Sequence, residues 1–190
     1  PAVASNRLAV LLATVRDVLQ PHREGESPLV TTGGAVSLNR AQASVDVEDF
    51  LTRATAALDA DRAKEPNATT LLAAAVAAHT GNFLEEDPYQ EWADGLAEEV
   101  RATHIALLRA LSARLRDAGD TDAVVRYTLH LLEQDRYDEQ AHLNLVEVLF
   151  DAGRLGEARR RYQSYVGRMR EIEIRPSPLP KMTSRRLAAG

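Results

Sequence analysis

The side chains best suited to chemistry in this 190-residue chain are its histidines and arginines, and neither set has the spacing of a catalytic or metal site. His79, His104, His130 and His142 are scattered along the sequence. No pair has the i, i+4 spacing with which one helix face presents two imidazoles to zinc, and none is read as a ligand. There is no cysteine, which removes thiolate metal sites, disulfides and a thiol nucleophile, and fits a reducing compartment. Walker-type GxxxxGK, GxSxG and HExxH runs are all missing. The carboxylates fall on predicted polar faces rather than converging on an apolar pocket. Neither catalysis nor a metal nor a cofactor is expected.

The charges read as solvated surface. Arg159, Arg160 and Arg161, with Arg154 and Arg168, make the densest basic run, but three consecutive helical positions fan out around the helix rather than sharing one face. Residues 85–99 hold seven acids and no base, a bias that the start of a helix favours. The net charge of −5 conceals an asymmetry: residues 1–40 carry +1, residues 41–137 carry −9 and residues 138–190 carry +3.

What must position these side chains is helical. Aromatic residues are only 5% of an alanine-rich chain, a composition that favours helices over sheets. No apolar run approaches the ~20 residues of a membrane span, and no secretory signal opens the chain, so a cytoplasmic location and no membrane partner are expected. The sequence starts at Pro1 without methionine, directly before a helical pattern, and reads as a fragment of a longer protein. Its strongest regularity is a 34-residue self-similarity: Leu111, Leu115, Asp117, Ala118, Gly119 and Arg126 recur as Leu145, Leu149, Asp151, Ala152, Gly153 and Arg160. That period belongs to tetratricopeptide units, helix pairs that bury their apolar faces only against their neighbours and so stack into a grooved solenoid. Gly119 and Gly153 fit the turn between paired helices. Ala158 fits the small crossing position with Val124 as its partner, and Tyr162 fits the large aromatic of the second helix. Leu108 and His142 replace the aromatic expected early in the first helix, and Arg136 and Arg170 replace the proline that closes the second.

Along the chain, residues 5–19 read as an amphipathic helix with Ser5 as N-cap and Pro21 as its stop. Leu8, Leu11, Leu12, Val15, Val18 and Leu19 share its apolar face. Arg7, Thr14, Arg16 and Asp17 lie on or near the other. Leu29–Thr32 and Ala35–Leu38 read as a hairpin, because Gly33-Gly34 supplies the positive φ of a type I′ turn. From Asp46, Val47, Phe50, Leu51, Ala54 and Leu58 set out a helix. Another opens at Pro66-Asn67, with Gly81 placed to end it after His79. The longest pattern, near 30 residues, opens at Asp87-Pro88 and runs to Asp117, with Trp92, Leu96, Val100, Leu107, Leu111 and Leu115 as its buried stripe. Helices over about 121–134, 138–152 and 155–171 follow, the last burying Leu155, Ala158, Tyr162, Val166 and Met169. Pro176, Pro178 and Pro180 end the helical region, and residues 181–190 are expected to fray.

These segments resemble the Streptomyces antibiotic regulatory protein family of transcriptional activators. Residues 45–180 resemble its bacterial transcriptional activator domain. The likeness is carried by Val45-Asp46-Val47 with Phe50, by Gly81-Asn82-Phe83-Leu84, and by Tyr89 with Trp92-Ala93 opening a long helix. The two Asp-Ala-Gly turns and Ile172-Glu173-Ile174-Arg175-Pro176-Ser177-Pro178 complete it. Residues 1–40 resemble the C-terminal part of an OmpR-type winged helix, truncated so that only its recognition helix and wing are present. The fold implied is all-α, a tetratricopeptide-like repeat domain preceded by those two pieces, with residues 181–190 as a flexible tail. The resemblance implies that Asn6, Arg7, Thr14 and Arg16 face DNA, with Thr31 and Thr32 near the wing. It also implies a regulator that is not an enzyme, with DNA and RNA polymerase as partners and a homodimer as the working form. A pure tetratricopeptide-type scaffold that binds a peptide or helix in its groove, with no DNA role, is the alternative.

Overall fold

A computed structural model describes residues 2–19, 26–81, 83–84 and 91–180. The expected fraying of residues 181–190 and the roles of Pro21 and Asp87-Pro88 lie outside the described residues. The described chain is all-α apart from one hairpin: α1 (Ala2–Leu19), β1 (Leu29–Thr32), β2 (Ala35–Leu38), α2 (Asp46–Arg62), α3 (Ala68–Ala77), α4 (Asp94–Asp117), α5 (Thr121–Gln134), α6 (Glu139–Asp151) and α7 (Leu155–Glu171). It divides into two compact units, Pro1–Asp49 and Phe50–Gly190.

In the first unit, β1 and β2 pair antiparallel with Thr32 opposite Ala35 and Leu29 opposite Leu38. Gly33 and Gly34 take φ of +58° and +82°, the two left-handed positions that a type I′ turn demands. Asn39 closes the hairpin base, its backbone N–H donating to the Pro28 carbonyl at 2.7 Å. Helix α1 starts three residues earlier than the sequence suggests, so Ser5 lies inside it rather than capping it. Its apolar stripe is not buried: Leu8, Leu11, Val15, Val18 and Leu19 are all exposed.

In the second unit the helices from α3 onward pack in sequence, α3 on α4, α4 on α5, α5 on α6 and α6 on α7. The two 34-residue units are the pairs α4–α5 and α6–α7. Their turns are alike because the same residues build them. Gly119 and Gly153 take φ of +78° and +74°, which lets the chain reverse within three residues. The caps differ: Asp120, after Gly119, caps α5 by accepting the Ala123 N–H at 3.0 Å, whereas Arg154, after Gly153, gives α7 no side-chain cap. In the link between α5 and α6, Asp138 caps α6 by accepting the Ala141 N–H at 2.9 Å. Val124, Leu145, Val146, Leu149 and Ala158 make the core where the pairs meet, with Leu115, Leu129, Leu132 and Tyr162 packed against it. The small residue at position 158 is fully buried at the crossing and Val124 is buried beside the same core.

Four expectations fail in this second unit. Trp92 is 73% exposed rather than core, because α4 begins at Asp94 and Trp92 stands in the turn before it, out of phase with Val100 and Leu107. For the same reason α4 has 24 residues rather than about 30. Helix α3 stops at Ala77 with Ala78 still in right-handed geometry, so Gly81 is not its cap. On α7 Leu155 is exposed, and it is Tyr165, not expected in the core, that is completely buried.

Candidate functional site

Among the described residues, three groups of polar side chains bear on a functional site. The first is in the Pro1–Asp49 unit. The Arg16 guanidinium on α1 donates to Thr31 Oγ1 on β1 at 3.3 Å, which joins two of the six residues expected to face DNA. Thr14 turns its hydroxyl onto the Val10 carbonyl at 3.1 Å, a contact within its own helix. Arg7, Thr14, Thr31 and Thr32 are exposed and Arg16 is half-buried. Asn6 lies in α1, with its side chain outside the described ones. Arg40 is engaged by Glu48. Guanidinium and hydroxyl groups of this kind donate to phosphate oxygens, which positions a protein on nucleic acid without reading its sequence.

The second is a cleft of about 210 Å³ between α4, α5 and α6. Its floor is Val124, Leu131 and Val148, and its rim carries Arg109, Ser112, Arg116, Gln140 and Asn144. The rim is internally paired. Arg109 holds the buried Asp138 carboxylate through Nη2 at 2.6 Å and Nε at 3.1 Å, Arg116 meets Glu147 at 3.0 Å, and Gln140 donates to Asn144 at 2.9 Å. Ser112 Oγ is buried with no partner.

The third is a histidine stack. His79 and His104 lie face to face with ring centres 3.9 Å apart, and His130 meets His104 edge-on at 5.1 Å. Burial, reinforced by the neighbouring imidazoles, pushes the His104 pKa down to about 4. Burial also lowers His79, with His130 adding to the effect. His142 stands apart, its Nε2 3.1 Å from the Arg136 carbonyl, and is lowered mainly by burial. Among the described residues no group of three or more His, Cys, Asp or Glu side chains is placed to hold a metal ion.

None of these arrangements places a nucleophile beside a base. Residues 45–187 match the family of the bacterial transcriptional activator domain. The chain belongs to that family. No curated protein and no solved structure gave a match.

In the activator domain, then, the paired helices α4–α7 are the part that sequence reasoning found, and the histidine stack is the part it missed. Spacing along one helix was the wrong test, since the three imidazoles come from three different segments. A usable signal was present: His104 follows Val100 by four residues and precedes Leu107 by three, which puts it on the buried stripe of α4. No comparable pattern announces His79, which sits beyond the end of α3. The activator domain family is one of gene regulation, and no helix among the described residues is long and apolar enough to cross a membrane.

Proposed function

We propose that this chain is the activator part of a bacterial transcription regulator of the Streptomyces antibiotic regulatory type, acting in the cytoplasm as a homodimer. Helix α1 is its recognition helix and β1–β2 its wing, with residues 1–40 as the end of a winged helix and residues 45–180 as the repeat domain. Asn6, Arg7, Thr14 and Arg16 face DNA, with Thr31 and Thr32 at the wing. The helical repeat supports dimerisation, places the protein on its operator and contacts RNA polymerase. The observation that carries this reading is the match of residues 45–187 to a transcriptional activator domain. It is supported by the contact between Arg16 and Thr31, which ties the proposed recognition helix to the proposed wing.

With only two arginines on α1, phosphate neutralisation is small and binding should depend strongly on the rest of the winged helix. Fluorescence anisotropy on duplexes from the protein's own promoter region tests this. A chain extended upstream by roughly 70 residues, the size of a small domain, should bind with sequence preference and weaken with Arg16→Ala. If the extended chain binds no duplex at low salt, where phosphate contacts are strongest, the DNA role falls. The repeat cleft would then be sought as a peptide site.

A further inference from the structure

The proposed regulatory role makes no use of the three imidazoles that meet in the Phe50–Gly190 unit. His79 follows α3, His104 sits in the middle of α4 and His130 lies in α5. Phe50, from α2, touches His79 edge-on at 5.4 Å and leans on His104 at 6.3 Å. The His104 ring is fully buried, and neither Nδ1 nor Nε2 has a hydrogen-bond partner. A polar ring left unsatisfied in a packed interior destabilises the fold, so a neutral imidazole here is tolerated rather than stabilising. A protonated one is far worse, since it brings a charge without a counter-ion against two other basic rings.

We propose that the His79–His104–His130 stack is an acid-sensitive joint: neutral, it lets α3, α4 and α5 pack together, and on taking up a proton it releases α3 from α4 while the α6–α7 pair stays folded. The groups around the stack allow this. From α2 the facing side chain is Phe50, which does not titrate. From α4, Asp94, Glu98 and Arg101 line the cleft that His79 also lines, but Glu98 is engaged by Arg101 at 3.3 Å. Arg101 is itself held on the Gln134 carbonyl at the end of α5, at 2.9 Å. From α5 the facing group is His130, another base. No carboxylate is within hydrogen-bonding reach of His104, whose nitrogens have no partner at all.

The sign follows from where the proton binds. His104 takes its proton at about 4 in the folded chain against 6.5 when free, and His79 is lowered as well. The unfolded or opened form therefore binds more protons between those values. Stability is full above 6.5 and is lost as pH falls towards 4. For His104 alone the folding constant drops about 30-fold between roughly pH 7.5 and 5, a Tm loss of roughly 4–8 °C for a chain of this size.

The test follows the imidazole Cε1–H resonances of the whole chain by NMR across this range, with thermal melts and amide exchange on wild type and His104→Leu. The expected results are a His104 midpoint well below the free value, early loss of exchange protection over residues 68–77, and a Tm in His104→Leu that falls several degrees less than wild type. A His104 midpoint at or above the free value overturns the proposal, as does an identical acid slope in both proteins. If His104→Leu does not fold, the wild-type titration and exchange order decide alone. Zinc chloride added at neutral pH gives a further check: a large rise in Tm would make the stack a metal site and overturn the joint.

Discussion

Replacing Tyr165 by Phe removes one oxygen from the interior, and the consequences can be worked through atom by atom. The Tyr165 ring is completely buried on α7, so Phe keeps the packing. Its hydroxyl donates to Glu139 Oε1 on α6 at 2.6 Å and accepts the Ser177 backbone N–H at 2.7 Å. Ser177 Oγ donates to the same Glu139 oxygen at 2.8 Å, and Tyr162 donates to the Ser177 carbonyl at 2.9 Å. One serine in the segment after α7 is thus tied to two helices. The hydrogen bond from Tyr165, and then that from Ser177, holds the Glu139 carboxyl below its ordinary range. Burial, then the bond to Glu139, raises the Tyr165 hydroxyl. A hydrogen bond to a charged group contributes about 1.5–3 kcal/mol, and the Ser177 N–H is left without its acceptor, so Tyr165→Phe should cost about 2–3 kcal/mol. Urea unfolding followed by circular dichroism measures the loss, and amide exchange at Ser177 locates it. The Glu139 share has its own sign. A lowered carboxylate contributes stability above its free value near 4.5 that disappears as pH falls through the folded value, so the gap between wild type and Tyr165→Phe should narrow in acid. An unfolding free energy within about 0.5 kcal/mol of wild type, with Ser177 still protected, would show that these bonds do not hold the segment after α7.

The repeat turns make a second prediction. Gly119→Ala and Gly153→Ala meet no atom within 4 Å, so their cost is the left-handed backbone alone, about 1–2 kcal/mol each. Chemical denaturation of the two single variants should give similar losses, and a loss at one turn only would mean that the repeats are not equivalent. Asp138→Ala removes both the α6 cap and the partner of Arg109, and should cost about 2 kcal/mol by the same measurement, whereas Asp120→Ala, which removes a cap, should cost about 1 kcal/mol. Equal losses for the two aspartates would show that the Arg109 pair contributes nothing.

Most of the repeat domain was legible because its signals are local and redundant. Leu145 and Leu149 announce a buried face, Gly153 announces a turn, and the same set repeats 34 residues earlier. The hairpin was legible for the same reason, since Gly33-Gly34 permits few other structures. What failed was tied to places where local pattern and packing disagree. Trp92 follows the stripe of α4 in sequence spacing, but the helix does not extend back to it. Tyr165 lies three residues past Tyr162 and reads equally well as exposed, and it is buried by a strap whose proline-rich sequence carries no helical period. The histidine stack is a three-body contact across segments 25 and 26 residues apart, and single-helix spacing has no access to it. The polar residues of α1 were read as solvated or DNA-facing, and Arg16 resting on Thr31 is a tertiary contact that neither reading foresaw.

The proposed function requires residues 45–187, which match the activator domain, to raise transcription. Fusing them to an unrelated DNA-binding domain and counting transcripts from a promoter carrying its operator separates activation from DNA recognition. The expected result is more transcript than the DNA-binding domain gives alone, lost on Leu145→Asp, which sets a charge in the fully buried core. Transcript no higher than with the DNA-binding domain alone, from a fusion that is folded and equally abundant, would contradict it.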